Sequence, residues 1–155
     1  MCSRYSLKAM RAPFAYRDMS NFPVRYNIAP TKEIGVVCID ANSQRRFRVM
    51  RWGLLPPFVR DPNAGPPMIN ARAEGIATKS AYERACADRR CVVPADGFYE
   101  WTGSKGARRP FLLRPHQGGL IAIAAFGGAG GTETAARSTR SPSSPAMQRR
   151  PLRAA

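Results

Sequence analysis

The sequence predicts a β-rich α+β fold built around a barrel-like sheet. Three observations carry that expectation. Short apolar or alternating runs recur between Pro- and Gly-rich turns, a single stretch has helical character, and apolar content stops abruptly after Phe126. With 155 residues the chain suits one domain with a real core and is too short for two comfortable ones.

The elements follow in order. IGVVCID (residues 34–40) is apolar and β-branched, as expected of a buried strand, and Cys38 within it reads as a core residue. Gln44, Arg45 and Arg46 make a polar turn into FRVMRWG (47–53), a half-buried strand expected to present Arg48 and Arg51 on one face. LLPPF interrupts regular structure because proline fixes φ and lacks an N–H, and DPNAGPP has loop composition. MINARAE (68–74) restarts extended structure, and a short helix is expected over 80–87, with Ser80 as cap and Glu83 completing a capping box. RRCVVPADGFYEW gives a strand, a turn at Asp96 and Gly97, and a second extended segment. PFLLR and GLIAIAAF read as a final strand pair across the turn PHQGG. Residues 1–126 thus form the expected domain. The segment 127–155 contains no Val, Ile, aromatic or Cys and one Leu, so it is expected to be disordered.

Charge narrows the class of partner. Twenty-five Lys and Arg against 10 acidic residues give a net charge of +15. Such an excess points to a polyanion, most simply nucleic acid. No apolar run spans a bilayer and the start lacks signal-peptide design, so the expectation is a cytoplasmic protein without a membrane partner. Four cysteines without CxxC spacing and one histidine make a zinc site unexpected, and no cofactor is expected. Cys86 and Cys91 read as structural.

The opening MCSRYS places cysteine directly behind the initiator. Removal of Met1, expected before a small side chain, would leave Cys2 with a free α-amine and a thiol on one residue. Those groups titrate at about 8 and about 8.5 when unperturbed, so both are partly nucleophilic at neutral pH. An aldehyde can form an imine with the amine, and the thiol can then close a five-membered ring.

Four further segments combine a polar group with aromatic or turn-forming neighbours: YNIAPT (26–31), WGLLPP (52–57), NARAE (70–74) and PADGFYEW (94–101). Asn70 and Arg72, two apart, share a face in a strand, and an amide beside a guanidinium suits a phosphate or sugar oxygen. Glu100 lies between Tyr99 and Trp101, where partial burial would raise its pKa and let it shuttle a proton. Each has a structural alternative: Asn70 as a turn cap, Arg72 paired with Glu74, Glu100 as an ordinary strand acid, and Trp52 and Trp101 as core.

Taken in order, MC-x-R, YN-x-APT, WGL-x-P, NAR-x-E and R-C-x-x-P-A-x-G-F-Y-E-W make the chain resemble the SRAP family over residues 2–126. These are the SOS-response-associated peptidases, or abasic site processing proteins. The resemblance implies a monomer that binds single-stranded DNA in a basic cleft, nucleoid-associated when bound. It would attack the C1′ aldehyde of an abasic site with Cys2 and close a stable thiazolidine. It further implies that Asn70 orients the nucleophile or sugar, Arg72 holds the adjacent phosphate and Glu100 moves protons. Arg4 and Asn27 would contact the DNA backbone, and Trp52, Phe58 and Trp101 the bases. The family is also described as a peptidase, so an N-terminal-nucleophile thiol peptidase is one alternative. A non-catalytic single-strand-binding remnant is another.

The sequence departs from the family pattern after GLIAIA. The expected Trp-Glu step, later strands and His-Asp-Arg-Met-Pro motif do not occur in it, and its single histidine, His116, reads as a turn residue. A frameshift near codon 126 accounts for the change to Arg, Ala, Ser and Pro, a lineage-specific tail being the alternative. Missing strands would leave unpaired sheet edges and low stability, and steps needing the motif's histidine would be impaired.

Overall fold

The computed structural model describes residues 3–8, 22–56, 59, 61, 68–127 and 145–148. They form two sheets with little helix. β1 (Tyr5–Leu7), β2 (Arg25–Ile28), β7 (Gly97–Thr102) and β8 (Arg109–Leu113) make a four-stranded sheet in the order β2-β1-β7-β8. The larger sheet comprises β3 (Glu33–Ile39), β4 (Arg45–Arg51), β5 (Asn70–Ala71), β6 (Arg90–Ala95), β9 (Ile121–Gly127) and β10 (Pro145–Gln148). Its order is β4-β3-β6-β9-β10-β5. Both sheets are open among the described residues, so the expected barrel closure is not seen. All pairings are antiparallel except β10 with β5.

β3 and β4 form because their apolar residues need a common cover. Ile34 and Val36 are fully buried, and β4 pairs with β3 from Glu33 opposite Arg51 to Ile39 opposite Arg45. Arg48 and Arg51 do not share a face. They are three residues apart, which places them on opposite sides of a strand; Arg48 is exposed and Arg51 half-buried. Cys38 is half-buried rather than enclosed, packed against the core and paired in register with Cys91 of β6.

Asp96 turns the chain from the larger sheet to the smaller. Its carboxylate accepts hydrogen bonds from the Ser6 hydroxyl and the Lys8 backbone N–H, and its own N–H donates to Ser6 O at 2.9 Å. That corner locks β1 beside β7. At Gly97, which follows, a Cβ would stand 2.8 Å from Leu113 O and 2.9 Å from Arg114 Cγ, so only glycine lets β8 approach this closely.

Two expectations about local structure are corrected. PFLLR and GLIAIAAF do not pair with each other: β8 joins β7 and β9 joins β6, each in a different sheet. Gly118 and Gly119, at φ 73° and 89°, carry the connection between them, with His116 exposed in its turn. The helix, α1, spans Glu83–Asp88 and starts later than expected. Ser80 does not cap it. The carbonyl of Lys79 instead accepts from the N–H groups of Tyr82 (2.8 Å) and Glu83 (2.9 Å), so a preceding turn takes up the first donors.

One core lies between the sheets and includes Tyr5, Leu7, Ile28, Ile34, Val36, Trp52, Val93 and Ala95. A second, beneath α1, gathers Leu54, Ala71, Ile76, Tyr82, Ala85 and Phe126, with the Tyr82 and Phe126 rings edge-on at 5.6 Å. Within the segment expected to be disordered, Pro145–Gln148 form β10, with Ala146 opposite Phe126 and Met147 opposite Asn70. Gly127 ends β9, and the rest of that segment lies outside the described residues.

Candidate nucleic-acid interface and reactive cleft

β1 and β7 run side by side, and the polar residues flanking them converge at one end of the smaller sheet. Tyr99 N–H donates to Arg4 O at 2.9 Å, and the Tyr99 hydroxyl donates to Tyr26 O at 3.0 Å. The Arg4 guanidinium donates from Nη1 to Asn27 Oδ1 at 3.0 Å. Arg4 and Asn27, predicted separately as backbone contacts, are therefore one unit: the amide aims the guanidinium. Lys8 lies over the exposed Tyr26 ring at 5.8 Å from its centroid, adding a second cation to this edge.

Beside that edge opens a cleft of about 580 Å³ lined by Ser3, Glu100, Trp101, Gly103 and Arg108. Glu100 and Trp101 are half-buried in β7, and Tyr99 braces Trp101 at 6.4 Å between ring centroids. An acid, a flat aromatic face and a guanidinium thus share one cavity. Such a set can hold a base and a phosphate while a carboxylate moves protons. Cys2 and Phe58 lie outside the described residues. Ser3, the covalent neighbour of Cys2, lines the cleft.

Trp52 does not belong to this wall. It is fully buried, edge-on to Tyr5 at 5.7 Å between centroids, and its indole N–H donates to Ile69 O at 3.1 Å. A ring with no accessible surface cannot stack on a base. It stands instead between β1, which begins one residue after Arg4, and Ile69, which precedes Asn70. The expected wall residue is a post that spaces the two segments carrying Arg4 and Asn70.

Asn70 is half-buried in β5, and Arg72 is exposed just beyond it with extended backbone at φ −82° and ψ 134°. Two residues apart on extended backbone, they keep the spacing that would put them on one face. Arg72 meets no carboxylate among the described residues, and no ion pair with Glu74 forms.

The other thiols contrast with the chemistry available to an N-terminal cysteine. Burial pushes the Cys91 thiol up to about 12, and it also raises Cys38, so both are protonated near neutrality. Among the described residues no three His, Cys, Asp or Glu side chains gather as a metal set, and no helix is long and apolar enough to cross a membrane. Arg108 is the lining residue that the sequence reading missed. It lies in the loop SKGARR, whose composition reads as solvated turn. No signal within that loop marks it, because the pairing of the strand after it with the Glu100 strand is seen only in the structure.

Comparison with known proteins shows the family and the likeness of fold. The pattern of the SOS response associated peptidase (SRAP) family matches residues 1–139, and the chain belongs to that family. It is 47% identical to the abasic site processing protein YoaM of Bacillus subtilis over 76 residues, 49% of this chain and 33% of that protein. To the abasic site processing protein HMCES of Xenopus tropicalis it is 30% identical over 107 residues, 62% of this chain and 32% of that one. The chain thus spans about a third of the length of these relatives. A crystal structure of a Bordetella bronchiseptica protein is similar at TM-score 0.68 and 26% identity, covering 81% of this chain and 63% of that one. A Bacteroides thetaiotaomicron structure reaches TM-score 0.70 at 19% identity, covering 95% and 66%, a likeness of fold alone.

Proposed function

We propose that this protein processes abasic sites in single-stranded DNA by linking itself covalently to them through Cys2, as a monomer acting in the response to DNA damage. The observation that carries the reading is the cleft in which Glu100, Trp101 and Arg108 meet Ser3, the residue next to Cys2. The names of the relatives, abasic site processing proteins, support the same substrate.

The chemistry needs little beyond these groups. The neutral α-amine of Cys2 adds to C1′ of the ring-opened deoxyribose and gives a carbinolamine. A proton passed by way of Glu100 to the departing hydroxyl lets water leave as the C=N bond forms. The Cys2 sulfur then attacks the imine carbon, its proton passing by way of Glu100 to the nitrogen, which closes the thiazolidine. One water is lost overall and no oxidant is consumed. Asn70 would orient the sugar or nucleophile. Arg4, held by Asn27, and Arg72 would hold flanking phosphates, and Trp101 would stack on a base.

The test is incubation with single-stranded DNA carrying one abasic site, followed by a denaturing gel. A shifted band from the wild type that disappears in Cys2→Ala is expected, while Cys2→Ala keeps salt-dependent binding to undamaged DNA. A folded wild type that gives no shifted band would overturn the reading. Cleavage of a peptide without DNA would instead support a thiol peptidase.

A further inference from the structure

Arg108 lines the cleft, yet the reaction steps proposed above give it no part of its own. It shares that cleft with Glu100 and Trp101, and among the described residues its exposed guanidinium has no hydrogen-bond or ion-pair partner. Its backbone is nevertheless fixed. Arg109, the next residue, is in register with Thr102, and Pro110 is in register with Trp101. The turn leading to it is tight: Ala107 N–H donates to Ser104 O at 3.0 Å. Gly103 has φ 104°, and a Cβ there would meet Ala107 O at 2.7 Å. A side chain with five donors and no acceptor is therefore delivered to the cleft by a rigid hairpin, without a partner among the described residues to satisfy it.

A guanidinium in that setting matches one ligand class. In a protein of net charge +15 it lines one cleft with Trp101, a ring suited to a base, and the repeating unit that joins a flat ring to an anion is a nucleotide. Glu100 in the same cleft confines that anion to the Arg108 side. We propose that Arg108 is a positioning residue that grips a backbone phosphate of the strand whose base stacks on Trp101, so that the β7–β8 hairpin acts as a second clamp on the DNA. This rests on the single-stranded-DNA reading above and adds to it a residue and a strand path.

The experiment measures binding of undamaged single-stranded oligonucleotide at 50 and 200 mM salt by wild type, Arg108→Gln, Arg108→Lys and Lys105→Gln. Lys105 is on the same hairpin but does not line the cleft. One phosphate contact on a single strand contributes a slope of about −0.7 in log K against log salt, so Arg108→Gln should lose about 2.5-fold less affinity over this fourfold salt range. Arg108→Lys should restore the slope, and Lys105→Gln should match wild type. In the crosslinking reaction, Arg108→Gln should raise the half-saturating DNA concentration severalfold and leave the maximal rate within about twofold. An unchanged slope in Arg108→Gln, or an equal change in Lys105→Gln, overturns the assignment and leaves the wider reading standing. A wild type that binds no single-stranded DNA at 50 mM salt overturns both.

Discussion

Trp52 leaves β4 into a fully enclosed site, whereas Trp101 stands in β7 at the wall of an open cleft. Both lie in motifs of the same flavour, an indole flanked by polar and turn-forming residues. Their surroundings divide the molecule into an enclosed part that holds distances and an open part that is proposed to meet the ligand. The Trp52 polar atom is satisfied inside the protein by Ile69 O. Trp101 is braced on one side by Tyr99 and shares a cavity with two charged side chains. A tryptophan's role here is set by whether its partners are already within the chain.

The comparison breaks first at Trp52. Trp52→Ala empties a site packed against Tyr5 and leaves Ile69 O without its donor, so the expected loss of stability is about 3–5 kcal/mol. For a domain of this size that is a large share of the total. Denaturant melts followed by circular dichroism check it. A loss below about 1 kcal/mol would mean that the indole is not the post between β1 and Ile69.

Trp101→Ala tests the other half. Its stability cost should be smaller because the ring is half-exposed, and single-strand affinity should fall by about tenfold, the order expected for one lost base stack. Fluorescence anisotropy with a labelled oligonucleotide reads the affinity, and a thermal melt reads the stability. A variant that melts as Trp52→Ala does while binding DNA normally would erase the distinction between the two rings.

Much of this division was legible in particular residues. The Ile34 to Val37 run could only be a covered strand, and Asn70 and Arg72 already had the spacing that would put them on one face. Sheet membership was not legible. PFLLR and GLIAIAAF have the same local pattern, and which strand each joins depends on Asp96 and Gly97, which carry the chain from one sheet to the other. The burial of Trp52 was hidden for a related reason: its partners Tyr5 and Ile69 lie far away in sequence. Arg108 was invisible because nothing within its own loop separates a guanidinium at a cleft from one in solvent.

Exposure alone does not mark the functional part, and Asp40 provides the test. In the surface turn between β3 and β4, its carboxylate accepts from Arg46 Nε at 2.8 Å and from the N–H groups of Asn42 and Gln44 at 2.9 Å. The hydrogen bond from Arg46 first, then that from Gln44, holds its pKa below the ordinary 3.8. A depressed folded pKa contributes stability that is present above the unfolded value and lost as pH falls through the folded one. Asp40→Asn should therefore melt lower than wild type at pH 7, by roughly 2 °C for a surface group, and the two should converge as pH falls from the ordinary 3.8 through the lower folded value. Single-strand affinity, corrected for the one-unit rise in net charge, should not change, because the turn takes no part in the cleft. Thermal melts from pH 2 to pH 7 decide it. A melting difference that widened towards acid would reverse the sign and show that the carboxylate is not held ionised by Arg46. A selective loss of DNA binding would move this turn from the structural part of the molecule to the one that meets the ligand.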